Sequence, residues 1–252
     1  MSFRLLFLGL LVSARVWAYV DITPIEIGEN PGVSGSLALS LSNQQGNTEK
    51  LDAGVDGNLR YDSNTSYALW LLGGYNYTDV PGEEIENKGF VHGRYLQRFL
   101  PALYGELFFQ SETNKLKEIE NRTAAGAGVR FRFYDDAFYG RAYLGTGLLH
   151  EWLRFSNPKI DPDESNMRFF GYLLYSKVFE NDTTINAYLV YQPKISEVSD
   201  YTLHSILEFQ TPLLKNFFLL LRLVSNYDST PPLNNHVKTY DVSQKVALMW
   251  KF

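Results

Sequence analysis

Apolar and polar residues alternate with a period of two along almost the whole chain, and nothing else in the sequence constrains the fold as much. Leu37, Leu39 and Leu41 stand against Ser36, Ala38, Ser40 and Ser42. Leu51, Ala53, Val55, Leu59 and Tyr61 stand against Asp52, Asp56, Asn58 and Arg60. Leu203, Leu207 and Phe209 oppose His204, Glu208 and Gln210; Val242, Val246, Leu248, Trp250 and Phe252 oppose Asp241, Ser243, Lys245 and Lys251. Successive side chains of a strand point to opposite faces, so each stretch offers one apolar and one polar face. The pattern divides into twelve strands at 32–43, 48–61, 65–78, 87–99, 102–114, 121–134, 137–153, 166–179, 183–194, 200–211, 215–228 and 239–252. Most are long for a soluble sheet and suit tilted strands crossing a bilayer, which takes about 9–11 residues.

The connections carry a second signal. Those after even-numbered strands are tight, as at Asp62-Ser63-Asn64, Leu100-Pro101 and Tyr134-Asp135-Asp136. Several after odd-numbered strands are longer and polar, notably 79–86, 154–165 and 229–238. Short turns at one end and long loops at the other are the pattern of outer-membrane barrels, with both termini on the periplasmic side. A soluble lipocalin-like barrel closes with about eight strands. The expected fold is therefore an all-β transmembrane antiparallel barrel of about twelve strands, over residues 32–252.

Composition fits that reading. Seventeen Tyr, seventeen Phe and four Trp crowd the strand ends on the outer parity, among them Tyr61, Tyr67, Tyr77, Phe99, Phe109, Phe133, Phe138, Trp152, Tyr191, Phe209, Tyr227 and Trp250. Aromatic girdles of this kind sit at membrane interfaces. Mean hydropathy of −0.20 is what results when half of each strand faces a polar interior. The absence of cysteine excludes disulfides and thiol chemistry, and 23 basic against 28 acidic residues leave no basic face for nucleic acid.

Residues 1–18 read as an export signal: Arg4 supplies the charge, residues 5–12 the apolar run, and Val16-Trp17-Ala18 the cleavage site. That run is too short to span a bilayer, which needs about 20 residues. Residues 19–31, with Pro24 and Pro31, are expected to form a periplasmic tether. Val246, Leu248, Trp250 and Phe252 close the chain on alternate positions, like the terminal strand by which the barrel assembly machinery selects its clients. The expected partners are that machinery during biogenesis, outer-membrane lipid, and lipopolysaccharide, whose divalent ions would meet Glu83, Glu84, Glu86, Glu118 and Glu120. The barrel is expected to be a monomer in the cell outer membrane.

The first hairpin, Gly35-Ser36-Leu37-Ala38-Leu39-Ser40-Leu41-Ser42 running into Gln45-Gly46-Asn47-Thr48-Glu49, resembles the putative salt-induced outer-membrane proteins of the YdiY type. The strand from Tyr240 to Phe252 is compatible with that family, a domain of unknown function. The resemblance implies location and fold and leaves activity open.

Parity places charges of both signs in the lumen. The bases are Arg60, Arg94, Arg98, Arg130, Arg132, Arg141, Arg168, Arg222, Lys245 and Lys251; the acids are Asp52, Asp56, Glu106, Glu112, Glu151, Glu208 and Asp241. Two readings follow. Arginines grip carboxylate or phosphate through paired hydrogen bonds and would line a channel for small anions. Alternatively acids and bases pair, since buried charge is costly alone, and the lumen plugs itself. A lipase or esterase needs a Ser–His pair with an orienting Asn or Asp. His92 and His204 point inward, His150 outward near Trp152, and Ser205 points away from His204, so no catalysis is expected. Asp161-Pro162-Asp163-Glu164 lacks the spacing and glycine of a calcium loop, and no metal or cofactor is expected. Gly126, Gly128, Gly145 and Gly147 lie in strands and make room for bulky lumen side chains.

Overall fold

A computed structural model describes residues 26–44, 50–79, 86–115, 119–231 and 239–252. The expected export signal, His236, and the loop acids Glu83, Glu84 and Glu118 lie outside these residues. Twelve antiparallel strands form a closed barrel in which each pairs with its sequence neighbours. They are β1 (Gly32–Gln44), β2 (Lys50–Asp62), β3 (Tyr67–Asp79), β4 (Glu86–Leu100), β5 (Leu103–Asn114) and β6 (Ile119–Asp136), then β7 (Gly140–Phe155), β8 (Glu164–Val178), β9 (Thr184–Pro193), β10 (Tyr201–Leu214), β11 (Phe217–Asp228) and β12 (Tyr240–Lys251).

The barrel closes where β1 meets β12, from Ser36 opposite Lys251 to Leu39 opposite Leu248. Gly35 and Phe252 extend the ladder, exchanging backbone hydrogen bonds of 3.0 Å in both directions. Closure gives each strand a neighbour on both sides, which hides most of the wall's backbone polar groups from lipid, although the seam itself pairs only Ser36–Leu39 with Leu248–Lys251. The ring of Phe252 lies so close over Gly35 that a Cβ there would meet it at 2.6 Å. Phe252 therefore packs over a residue at which any side chain would collide with its ring.

Even-numbered positions face inward on the strands except on β7 and β12, where odd positions do, and beyond the two bulges of β6, where Ile119 is buried and Asp135 meets Arg132. The outward set is an apolar belt that includes Leu39, Leu59, Leu71, Leu107, Val129, Leu148, Leu173, Leu189, Leu221 and Leu248. Aromatics fringe the belt at both ends. Tyr61, Tyr67 and Tyr95 pack side by side as tilted rings at 5.9 Å spacings near the turns. Near the loops Tyr191 meets Tyr201 at 5.4 Å, Tyr201 stacks on Tyr227 at 5.6 Å, and His150 stacks on Trp152 at 4.3 Å. Bulges between Arg98 and Leu100 and between Arg132 and Tyr134 add a residue at the turn end. The extra residues, Phe99 and Phe133, stand exposed on the outer face.

The interior is less purely charged than parity alone implies. A central cluster joins Phe108, Tyr143, Leu149, Phe170, Tyr172, Tyr188 and Val190, and a second joins Trp70, Leu72, Leu96 and Tyr104. The strand glycines make this filling sterically feasible. A Cβ on Gly145 would meet the Tyr172 ring at 2.0 Å, and one on Gly126 would meet Phe108 at 2.4 Å. Tyr172 thus fills the space beside Gly145, and its hydroxyl reaches Glu106. Gly145→Ala is expected to destabilise the barrel by about 1–3 kcal/mol through overpacking. In a double-mutant cycle with Tyr172→Ala, followed by urea unfolding in vesicles, most of that loss should disappear because the clashing ring is gone. An additive cycle would show that Gly145 matters for another reason.

Residues 26–31, the described part of the expected periplasmic tether, lie in the mouth of the barrel at its turn end. Ile27 is buried against Ala68, Trp70, Leu72, Leu96 and Tyr104. The Gly28 amide donates to both carboxylate oxygens of Asp62, at 3.0 and 2.9 Å. The cause is chemical complementarity: the segment offers a carboxylate and an apolar side chain to a mouth lined with arginines and an apolar cluster.

Candidate functional site

The lumen is the candidate site, and its inward charges fall into three tiers. At the turn end, Arg98 and Arg132 hold the Glu26 carboxylate at 3.1 and 2.9 Å. Arg132 also meets Asp135 at 3.2 Å, and Arg141 binds Glu29 at 2.7 Å and Asp135 at 3.0 Å. Arg60 pairs with Asp62 at 2.9 Å and donates to the Glu26 carbonyl at 2.8 Å.

At mid-height, Glu106 lies between Arg94 at 3.0 Å and Arg130 at 3.6 Å. β5 sets Glu106 two positions diagonally from each arginine on the flanking β4 and β6, which brings both within reach. The Tyr172 hydroxyl lies 3.0 Å from both Glu106 oxygens and accepts the Arg130 Nε–H at 2.8 Å. Arg94 also covers the Phe108 ring, 5.1 Å from its centroid. Glu106 is 2 % exposed and Arg130 0 %. Among the described residues, neither terminal nitrogen of Arg130 has a hydrogen-bond partner.

Nearer the loops, Glu151 bridges Arg122 and Arg168, the latter at 2.8 Å. Arg122 also reaches Glu112 at 3.4 Å, and Arg168 reaches Asp200 at 3.0 Å. On the opposite wall, beside the turn-end half of the lumen, Arg222 pairs with Glu208 at 2.5 Å, and Lys245 crosses to Asp56. Lys251 lies 4.0 Å from the centroid of the Phe218 ring.

The structure thus spreads Arg94, Arg98, Arg130, Arg132, Arg141, Arg168 and Arg222 over the barrel's height, each against a carboxylate, and does not align them into a continuous track. Sequence reasoning missed Arg122, although its even parity matches that of Arg130 and Arg132. It also missed Glu26 and Asp200, which lie outside the strands and have no parity to read. A cavity of about 680 Å³ occupies the turn-end half of the lumen. Arg60, Arg141, Glu208, Arg222 and Tyr143 line it, and the exposed Ala137 and Asp182 mark its opening.

Among the described residues, hydrolytic chemistry finds no complete constellation. His204 pairs through Nδ1 with the Asn226 side-chain oxygen and lies 3.4 Å from the Tyr188 hydroxyl, deep in the lumen. Pairing of β7 with β8 brings Ser165 Oγ to 2.8 Å from His150 on the outer face, a contact that adjacency in sequence does not reveal. The other ring nitrogen of His150 faces the Met167 sulfur at 3.1 Å, which cannot orient a base as a carboxylate or amide would. Among the described residues, no three His, Asp or Glu side chains converge as a metal site. Asp163 instead accepts the Phe155 amide at 3.1 Å.

Residues 37–252 match the model of a family described as a protein of unknown function, DUF481. The chain belongs to the DUF481 family. The family match covers nearly the whole barrel, whereas the narrower salt-induced designation has only the first hairpin behind it. No curated protein resembles the chain closely enough in sequence to count as a relative. Solved structures share the architecture of this DUF481 barrel at low identity. The translocator domain of the autotransporter NalP from Neisseria meningitidis is 11 % identical, with 89 % of this chain and 90 % of that one covered and a TM-score of 0.51. The KdgM porin in complex with disordered oligogalacturonate is 13 % identical, with 87 % and 99 % covered and a TM-score of 0.48. The likeness shows an outer-membrane-type β-barrel fold and nothing about activity.

Proposed function

We propose that this DUF481 barrel stands in the outer membrane as a monomeric, non-catalytic envelope protein whose lumen is closed at rest, in keeping with a role in envelope maintenance or salt stress. The apolar belt with aromatics at both ends supports the location. The knot of Arg94, Glu106, Arg130 and Tyr172, packed against Phe108 and Phe170, supports closure. A pore wide enough for hydrated solutes would wet its walls, and these side chains are all buried. Salt acts unevenly on such a lumen. At about 0.1 M the Debye length is about 10 Å, so the partly exposed pairs of Arg98, Arg132 and Arg141 weaken with ionic strength while buried pairs are screened much less. Val246, Leu248 and Trp250 face outward on β12 and Phe252 is exposed just beyond it, where the assembly machinery would read them.

The test is single-channel conductance of the refolded chain in a planar bilayer at low and high salt. The expected result is an inserted, folded barrel without steady openings. Steady openings that prefer anions and shrink with Arg94→Ala or Arg130→Ala would replace this reading with a small-anion channel.

A further inference from the structure

The turn-end mouth has the composition of a ligand site. Both oxygens of the Glu26 carboxylate are met by one guanidinium and one phenol. Oε1 takes Arg98 at 3.1 Å and the Tyr104 hydroxyl at 2.6 Å. Oε2 takes Arg132 at 2.9 Å and the Tyr143 hydroxyl at 3.2 Å. Four donors from β4, β5, β6 and β7 thus converge on one carboxylate that belongs to none of those strands. Next to it, Ile27 fills an apolar recess formed by Ala68, Trp70, Leu72, Leu96 and Tyr104.

The barrel wall supplies every donor and the whole recess, and the N-terminal segment supplies only the occupant. The mouth also carries more donors than the occupant uses. Arg60 Nε and Arg98 Nε are buried and have no hydrogen-bond partner among the described residues. Arg60, Trp70, Leu72 and Tyr143 line the adjoining cavity, so the site connects to the open half of the lumen.

We propose that Arg98, Arg132, Tyr104 and Tyr143 form a carboxylate-binding site, which Glu26 fills in this structure and which takes an exogenous carboxylate bearing a short branched aliphatic group when the segment withdraws. The geometry selects a carboxylate because two oxygens in one plane satisfy two guanidinium–phenol pairs, with charge-assisted hydrogen bonds on both. The recess at Ile27 selects the aliphatic group. The same chemistry is found in an acidic peptide and in a free short-chain acid.

The experiment measures binding of two probes, N-acetyl-Glu-Ile-amide and 4-methylpentanoate, to the refolded full chain in detergent micelles. Wild type, Glu26→Ala, Glu26→Gln and the triple variant Glu26→Ala/Arg98→Ala/Arg132→Ala are compared. Both single variants should bind at least one probe. Wild type should bind at least about tenfold more weakly, because a tethered carboxylate competes at an effective concentration of order millimolar. The triple variant should lose binding, with chloride at matched ionic strength as control. Tighter binding of the dipeptide assigns the source to a peptide, tighter binding of 4-methylpentanoate to a free acid. If Glu26→Ala unfolds, the near-isosteric Glu26→Gln carries the comparison. No binding to either single variant, or equal binding by all four proteins, overturns the proposal.

Discussion

Replacing Glu106 by Leu is expected to destabilise the barrel by about 3–5 kcal/mol, the usual cost of removing one partner from a buried ion pair. Glu106 is the carboxylate placed against both Arg94 and Arg130, and Arg130 is fully buried. Without it, two guanidinium groups share the middle of the lumen with the Phe108 and Phe170 rings. The loss should be read from urea unfolding of protein refolded into vesicles. Replacing all three, as in Arg94→Leu/Glu106→Leu/Arg130→Met, should recover much of the stability, because an apolar set of similar volume carries no uncompensated charge. A triple variant as unstable as the single one would show that packing, not charge, sets the cost.

The next residue obeys the opposite rule. Leu107 is 55 % exposed on the outer wall, opposite Ala127 near the centre of β6. Leu107→Arg should cost about 2–4 kcal/mol in a bilayer, the range for a basic side chain near the midplane of a barrel's lipid face. In detergent micelles, where the guanidinium reaches water more easily, the cost should shrink. Adjacent positions thus reject opposite substitutions, Glu106 the loss of a charge and Leu107 the gain of one. Equal tolerance at both would contradict the assigned parity of β5.

Much of this architecture was legible in the residue order, because a strand's period of two is a local property. The alternation at Leu203–Gln210 or Asp241–Phe252 needs no knowledge of neighbours, and the strands lie close to where it placed them. The lumen was legible only as a set of inward residues. Which acid meets which base depends on register, and register depends on how far each strand climbs past the next. Glu106 reaches Arg94 and Arg130 because it sits diagonally between them, and no spacing within one strand encodes that. The Ser165–His150 contact arises the same way across β7 and β8. Glu26 was hidden for another reason: a segment with no strand period gives no face, and its fit to the mouth shows only once four strands have brought Arg98, Tyr104, Arg132 and Tyr143 together.

The most direct test of a lumen closed at mid-height is thiol accessibility, for which the cysteine-free chain provides a clean background. Single replacements Asn58→Cys in the turn-end cavity, Ala124→Cys beside the buried Glu151 tier and Leu107→Cys on the outer wall would be probed in vesicles of uniform barrel orientation, with a small charged methanethiosulfonate supplied only on the turn-end side. Rapid modification at 58 with protection at 124 and 107 is the expected result. Equally rapid modification at 58 and 124 would mean that water passes the middle of the barrel, and the closed-lumen account would be wrong.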